Sequence, residues 1–294
     1  MKKFLTAFLT LVMFVVCCFS LTACKKKDFV DVELEFSVGS ETVTINYTLY
    51  GHLAPESVKQ FKDLAEDDYY DGAVMYISDV LSGAKLLGRY KIDANGNLVM
   101  NEEVATIKGE FAKGGTLGSD LKANKGNLCV YRWWDTEAGF DNSGFNTGSL
   151  GNLIIPTNGG FEDTQNNSTT VAVFGVIDED STKALSELID GHENAWKDEN
   201  LDSYYVFYYE QDGALVPVIL NKADYESKVL KNGDDATTYT ISEVADQKET
   251  VEIFNPKDYE GSNADWTSAK YQKEEVRVPK ADYRITLKSV SIKK

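Results

Sequence analysis

The feature that most constrains the fold is an alternation of apolar and polar residues over residues 32–49. Apolar side chains recur at every second position on both sides of a short break at 37–40. They are Val32, Leu34, Phe36, Val43, Ile45, Tyr47 and Leu49. A period of two is typical of strands that bury one face. The segment therefore predicts a β-hairpin.

The next segment changes to the period of a helix. Apolar residues recur at intervals of three and four across 58–65, which places them on one helix face. Pro55 suits the first helical turn, and Glu56 favours the positive end of the helix dipole. We therefore expect the order strand, strand, helix, with a turn at 69–72 after the helix.

The N-terminal segment has the layout of a bacterial lipoprotein signal. Lys2 and Lys3 precede an apolar run that ends in Leu21-Thr22-Ala23-Cys24, which resembles a lipobox. On this interpretation residues 1–23 are a cleaved signal peptide and Cys24 carries the lipid. Residues 24–31 then tether the folded part to the extracytoplasmic face of the cell membrane. The alternative is a transmembrane anchor, because residues 4–23 are nearly long enough to span a bilayer.

Charge and residue content narrow the classes of function. The formal net charge is −17 at pH 7, which argues against nucleic acid as a partner. Cys129 is the one cysteine after Cys24, so we expect no intramolecular disulfide in the folded part. The two histidines, His52 and His192, are isolated in sequence, so we expect no metal and no cofactor. Residues 93–97 lack the later glutamate of a calcium loop and predict a tight turn.

Six segments form an ordered set of motifs. The first, over 44–72, contains Ala54-Pro55-Glu56-Ser57-Val58 and Tyr69-Tyr70-Asp71-Gly72. The others lie at 107–111, 125–130, 146–155, 171–177 and 285–292. In this order they resemble cyclophilin-type peptidyl-prolyl isomerases, whose helix starts with Ala-Pro-x-Thr-Val and is followed by Tyr-Tyr-Asp-Gly. Six ordered matches are more specific than any one of them.

The resemblance implies a mainly β fold, an eight-stranded antiparallel barrel capped by two helices. The second helix is expected at 181–188. The cyclophilin-like domain would comprise residues 32–195 plus 276–294, with a large α+β insertion over 196–275 before the last strand.

The insertion has signals of its own. Segments 203–209 and 215–220 flank Gln211-Asp212-Gly213 and predict a hairpin. Residues 222–230 predict a short helix, and 237–241 and 250–254 predict strands. We interpret its many tyrosines as a second small core in preference to an exposed surface for client polypeptides.

The chemistry implied by the resemblance depends on one arginine. An X-Pro bond rotates over a barrier of about 18–20 kcal/mol because the amide is resonance-stabilised. The family holds the proline in an apolar pocket, and an arginine donates hydrogen bonds to the twisted amide. That arginine position is Ile77 in this chain, and isoleucine has no side-chain donor.

Other groove positions that the resemblance implies are altered as well. A glutamine position becomes Leu87, and a glutamine and two phenylalanines become Asn152, Leu153 and Ile154. The expected substrate groove is Met75, Tyr76, Ile77, Leu87, Asn152, Leu153 and Ile154. Tryptophan and histidine positions fall within 165–171, which contains neither residue type.

Two arginines are candidate substitutes for the one at position 77. Arg132 follows the strand predicted at 128–131, where it would lie near the rim of the groove. The simpler interpretation of Arg132 is a solvated side chain. Arg89, next to Gly88, is the weaker candidate.

These expectations lead to a primary hypothesis and an alternative. The primary hypothesis is a lipid-anchored peptidyl-prolyl isomerase that assists the folding of exported proteins, with weak activity because of Ile77. The alternative is a catalytically inactive, cyclophilin-like lipoprotein or chaperone. The expected partners are proline-containing or unfolded exported polypeptides and, through the lipid on Cys24, the membrane. A solute-binding lipoprotein would fit the anchor, but the chain lacks signs of two α/β lobes.

The lipobox predicts that Cys24 is the sole site of lipid attachment. Metabolic labelling with a fatty-acid analogue should label the wild type but not Cys24→Ser, because serine has no thiol to carry the lipid. Cys129→Ser is the matched control and should keep its label. Label retained on Cys24→Ser would contradict the lipoprotein interpretation.

Overall fold

A computed structural model describes most of the chain after its N-terminal segment. The described residues are 28–79, 81–108, 110, 121–133, 147–157, 171–211, 214–231, 238–241, 251–254 and 274–293. Cys24 and residues 165–170 lie outside this set, so the lipid anchor stays a prediction. No described helix combines the length and apolar character that a membrane crossing requires.

The predicted N-terminal hairpin is confirmed. β1 (Phe29–Val38) and β2 (Glu41–Tyr50) pair antiparallel in unbroken register. Gly39 in the turn has a φ of +57°, a left-handed conformation that glycine adopts without steric cost. One face of the hairpin is fully buried at Val32, Leu34, Phe36, Ile45 and Leu49.

The predicted helix is confirmed as α1 (Pro55–Glu66), with Pro55 in its first turn. Its buried residues are Ser57, Val58, Phe61 and Ala65. The buried side chain of Glu110 caps its start, because its carboxylate accepts hydrogen bonds from the backbone N–H groups of Glu56 (2.8 Å) and Ser57 (3.1 Å). Ser57 Oγ also donates to this carboxylate, at 2.6 Å. A buried anion thus satisfies N–H groups that a helix start leaves without partners.

The remaining strands and helices follow in chain order. The strands are β3 (Tyr76–Ser78), β4 (Leu81–Leu87), β5 (Tyr90–Ile92), β6 (Leu98–Met100), β7 (Ile107–Lys108), β8 (Leu128–Trp133), β9 (Thr147–Pro156), β10 (Val171–Ile177), β11 (Leu201–Gln211), β12 (Ala214–Asn221), β13 (Val229–Lys231), β14 (Thr238–Ile241), β15 (Val251–Phe254), β16 (Glu274–Pro279) and β17 (Ile285–Ile292). The helices are α2 (Glu179–Asp190) and α3 (Lys222–Lys228), and short 3-10 turns lie at Glu193–Trp196, Asp198–Asn200 and Ala281–Tyr283. The second predicted helix is confirmed as α2.

Twelve of these strands form one sheet in the order β12-β11-β16-β3-β4-β9-β8-β10-β2-β1-β17, with β7 paired to β9 at its side. All of its strand pairs are antiparallel. A mainly β, antiparallel fold is therefore confirmed. The path is open, ending at β12 and β17, so the structure differs here from the expected closed barrel of eight strands.

Backbone hydrogen bonds link β17 to the segment that precedes β3. Gly72 N donates to Leu287 O (2.8 Å), Leu287 N donates to Ala73 O (2.8 Å), and Met75 N donates to Ile285 O (2.9 Å). The segment just before β3 therefore lies against β17, although seven strand pairings separate β3 from β17 along the sheet.

The hairpin predicted over 203–220 is confirmed as β11 and β12, and it extends the main sheet. β11 and β12 pair up to Gln211 opposite Ala214. β11 also pairs with β16, and β16 pairs with β3. The short helix and the two strands predicted after the hairpin are present as α3, β14 and β15, and β13-β14-β15 form a separate sheet. The domain boundaries at 195 and 276 stay predictions.

Two apolar cores lie on opposite faces of β4 and β9. Consecutive residues alternate between the cores, since Leu86 and Ile154 belong to the second core and Leu87 and Leu153 to the first. The first core includes Leu34, Ile45, Phe61, Phe174, Leu185 and Leu287. The second core includes Tyr76, Tyr90, Cys129, Val173, Val206 and Val276. The insertion hairpin contributes Val206 to this second core, so it shares a core with the main sheet.

The cap on α1 predicts a large loss of stability from one substitution. Glu110→Ala should lower the free energy of unfolding by about 2 kcal/mol, because the N–H groups of Glu56 and Ser57 would lose a charged, buried acceptor. Glu103→Ala is the matched control, since Glu103 is exposed, and should change stability by less than about 0.5 kcal/mol. Urea denaturation measures both. Equal effects would show that Glu110 does not support the helix.

Candidate functional site

Two of the predicted groove residues, Tyr76 and Asn152, are joined by a hydrogen bond. The Tyr76 hydroxyl donates to Oδ1 of Asn152 at 2.9 Å. The sheet register makes this contact, because β4 pairs with β3 on one side and with β9 on the other. Tyr76 is fully buried, and burial raises the pKa of its phenol well above 10.0. The hydroxyl therefore stays protonated and remains a donor.

A second tyrosine and an ion pair extend this contact. The rings of Tyr76 and Tyr90 meet edge to face, with centroids 4.9 Å apart. The Tyr90 hydroxyl lies 3.4 Å from Oε2 of Glu274, and Arg89 Nη1 lies 3.7 Å from the same oxygen. The side chains of Arg89 and Glu274 are 19% and 15% exposed, so solvent screens their attraction only in part. These five residues, Tyr76, Arg89, Tyr90, Asn152 and Glu274, are called the Arg89 cluster.

A rigid turn places Arg89 in this cluster. Gly88 has a φ of +108°, and a Cβ added there would stand 2.8 Å from the carbonyl oxygen of Gly151. The side-chain amide of Asn101 donates to the carbonyl oxygens of Tyr69 (2.7 Å) and Gly88 (3.0 Å). The Asn101 backbone N–H donates to the carbonyl oxygen of Arg89 at 2.7 Å. The backbone on both sides of the arginine is thereby fixed.

Sequence reasoning named Tyr76, Asn152 and Arg89 but missed Tyr90 and Glu274. Glu274 is separated from Tyr90 by 184 positions. It reaches the cluster because β16, in which it lies, pairs with β3. No local pattern marks a contact of this kind, since it depends on which strands become neighbours.

An arginine from another strand lies beside Ile77, the residue that the sequence resemblance predicts in place of the family's arginine. Ile77 lies opposite Arg277 where β16 pairs with β3. Arg277 Nη1 donates to Asp198 Oδ1 at 3.0 Å. An arginine is therefore present next to position 77, but its guanidinium is bound to an aspartate.

Lys85 is a further cation whose charge interacts with that of Arg277. Its Nζ lies 3.6 Å from the centroid of the Trp196 ring, a cation–π contact. The pKa of Lys85 is lowered to about 8, mainly by burial and also by the charge of Arg277, while Asp190 opposes the shift. Lys85 thus holds its proton less tightly than a solvated lysine does.

The other predicted groove residues are divided between the two cores. Met75, Leu87 and Leu153 are fully buried in the first core. Ile154 is fully buried in the second core together with Tyr76. The structure thus brings Tyr76, Asn152 and Ile154 to one face and the remaining apolar residues to the other. Their role in binding a substrate stays a prediction.

The remaining sequence candidates have simpler placements. Arg132 lies in β8 opposite Gly148, and its side chain is outside the described part of the structure. Cys129 is fully buried, and burial raises the pKa of its thiol, so it is not a reactive thiolate. Asp93 Oδ1 accepts hydrogen bonds from the backbone N–H groups of Asn95 and Asn97, which confirms the tight turn. The described residues contain no group of three or more metal-ligating side chains.

Comparisons with known proteins give only distant structural likenesses. No family model matches the chain, and no curated protein matches it. A cyclophilin type peptidyl-prolyl cis-trans isomerase of Cryptosporidium parvum is 15% identical, with 53% of this chain and 82% of that chain covered and a TM-score of 0.33. The structure of that isomerase in the presence of the dipeptide Ala-Pro is 13% identical, with 54% of this chain and 85% of that chain covered and a TM-score of 0.33. The Mimivirus cyclophilin is 13% identical, with 55% of this chain and 80% of that chain covered and a TM-score of 0.32. TM-scores this low assign neither an activity nor a ligand to this chain.

The lowered pKa of Lys85 predicts a pH dependence of stability. Lys85 loses its proton near pH 8 when folded and near 10.5 when unfolded. Between these values the unfolded chain binds more protons, so this residue makes the free energy of unfolding rise with pH. Urea denaturation from pH 7 to 10.5 should show this rise in the wild type relative to Lys85→Met, which cannot titrate. Parallel pH profiles for the two proteins would contradict the assignment.

Proposed function

We propose that this chain is a cyclophilin-type protein of the extracytoplasmic membrane face that binds proline-containing segments of exported polypeptides and isomerises their prolyl bonds slowly. The six ordered sequence segments support the family assignment. The eight strands from β3 to β17 along the sheet path would serve as the barrel. The bonds of Gly72, Ala73 and Met75 to β17 bring the two ends of this set of strands together. The lipid on Cys24 would hold the protein at the membrane.

The observation that carries the proposal is the placement of Arg89. Ile77 offers no donor to a twisted amide, but the Arg89 guanidinium belongs to a cluster with Tyr76 and Asn152, two of the predicted groove residues. A cation on a fixed turn stabilises charge that develops on a rotating amide without first having to reorganise. We therefore assign Arg89 the part of the missing arginine.

Glu274 explains why the activity should be slow. Its carboxylate lies 3.7 Å from Arg89 Nη1, so the arginine is already partly neutralised before a substrate binds. Loss of one well-placed donor costs on the order of 3 kcal/mol in the transition state, which is about a hundredfold in rate. Arg89 must give up part of its contact with Glu274 to donate to a substrate, so it will recover only part of this rate.

A second candidate function is polypeptide binding without catalysis. The complete burial of Tyr76 and Ile154 and the near-complete burial of Leu86 favour it. A face already filled by protein side chains has no room for a proline ring, because cores are packed at nearly crystalline density. Binding would then use other surfaces. The ion pair of Arg89 with Glu274 would only stabilise the packing of β16 against the second core.

Substitution of Arg89 separates the two candidates. Exchange NMR spectroscopy on a peptide that contains Ala-Pro should show weak acceleration by the wild type and about tenfold less by Arg89→Ala, because the donor is lost. Arg132→Ala is the matched control and should keep the wild-type rate. Chemical-shift titration with the same peptide measures binding separately.

Each result of this experiment has a distinct meaning. Binding without acceleration would establish the inactive binder. Acceleration that survives Arg89→Ala but is lost in Arg132→Ala would move the donor to Arg132. Neither binding nor acceleration would refute both candidates.

Removal of the competing carboxylate should have the opposite effect. Glu274→Gln keeps an acceptor near Tyr90 but removes the charge that neutralises Arg89, so we expect the isomerisation rate to rise severalfold. Glu275→Gln, the neighbouring carboxylate in β16, is the matched control and should leave the rate unchanged. A fall in rate for Glu274→Gln with unchanged thermal stability would show that Glu274 orients Arg89 more than it inhibits it.

A further inference from the structure

An exposed cluster of three rings lies where the described chain begins. Among the described residues, Phe29 is the exposed large apolar residue, with 47% of its surface accessible to solvent. Its ring meets Tyr50 edge to face at 5.1 Å and His52 at 5.0 Å between centroids. Tyr50 and His52 are 5.9 Å apart. We call Phe29, Tyr50 and His52 the aromatic patch.

The hairpin register determines which end of the protein carries the patch. Phe29 is the first residue of β1 and pairs with Tyr50, the last residue of β2. The β1–β2 turn at Gly39 and Ser40 lies at the opposite end of the hairpin. A ten-residue strand rises about 3.3 Å per residue, so the two ends are roughly 30 Å apart.

The patch is also close in sequence to the predicted lipid. Cys24 precedes Phe29 by five positions. Even fully extended, five residues span less than about 18 Å. A lipid on Cys24 would therefore keep the aromatic patch within reach of the headgroup layer.

The surface next to Phe29 combines apolar and charged side chains. An open depression of about 620 Å³ is lined by Phe29, Val30, Ala65, Val290 and Ile292. The charged residues around it are Lys62, Lys293, Glu66 and Asp68. Two cations and two anions give no strong preference for an anionic surface. Contact with lipid would therefore depend on the aromatic and apolar side chains.

We propose that the aromatic patch docks into the headgroup layer of the membrane that holds the Cys24 lipid, with Phe29 inserted. This inference rests on the lipid anchor of the proposed function. Rings with an apolar body and a polar edge, such as those of Tyr50 and His52, favour the interface between lipid and water. The patch supplies a second membrane contact beside the lipid, and two contacts hold a protein more firmly than one. The domain is thereby oriented with β1 rising from the membrane.

Spin labels at the two ends of the hairpin test this orientation. The lipidated full chain is bound to phosphatidylcholine vesicles and carries a nitroxide at Asp28→Cys or, as the distal control, at Ser40→Cys. Both positions are exposed in the folded domain, and Cys129 is buried and will not react. The label at 28 should be shielded from a water-soluble nickel chelate, and the label at 40 should be fully accessible.

A change at Phe29 separates docking from mere tethering. In the Asp28→Cys protein, Phe29→Ala should raise access of the chelate severalfold, because the inserted ring is lost, whereas Phe29→Trp should preserve the shielding. Shielding that is the same with Ala and Phe at position 29 would show tethering alone and overturn the docking.

Two further outcomes would also overturn the proposal. Spin–spin broadening between labels at 28 would show that a second copy of the chain covers the patch. Failure of the wild type to associate with vesicles would remove the anchor itself, and it is distinguished from failed docking because no label would then be shielded.

Discussion

The backbone of residues 72–75 is the constraint on which the rest of the site depends. Gly72 and Met75 donate hydrogen bonds to β17, whereas Val74 N donates to the carbonyl oxygen of Tyr90 at 2.9 Å. Each such bond contributes only about 1 kcal/mol to stability. Their importance is geometric, because they hold the start of β3 between the last strand of the chain and β5. The positions of Tyr76 and Tyr90, and through the adjoining turn that of Arg89, follow from this.

Burial on one face or on both explains why the buried side of some strands could be predicted from the sequence and that of others could not. β1 and β2 have one buried face, so their alternation was visible and the hairpin could be predicted. The β11–β12 hairpin and α1 could be predicted for the same reason, since local periodicity and turn residues encode them. The strands β4 and β9 carry core residues on both faces, such as Leu86 and Leu87. A continuous apolar run of this kind does not tell which residues face a groove. Neither Glu274 beside Arg89 nor Arg277 beside Ile77 could be predicted, because strand order decides both contacts.

The pairing of Ile77 with Arg277 disfavours an arginine at position 77. An arginine at position 77 would lie directly opposite Arg277, and like charges at opposed positions destabilise a sheet. A glutamine at position 87 would place an amide in the first core, where Leu87 is fully buried, and an amide without partners is costly there. The neighbouring structure therefore favours apolar residues at both positions.

One strand makes several of these contacts. β16 contributes Glu274 to the Arg89 cluster, Val276 to the second core and Arg277 to the position opposite Ile77. The position of β16 beside β3 therefore sets both the packing and the charge around these residues. With Arg277 opposite position 77, an arginine there would be repelled, while an isoleucine adds no charge. On the second-core face, Glu274 offers a carboxylate that favours a cation from another turn, and Arg89 supplies it. The apolar residue opposite Arg277 and the largely buried ion pair of Arg89 with Glu274 thus both follow from the pairing of β16 with β3.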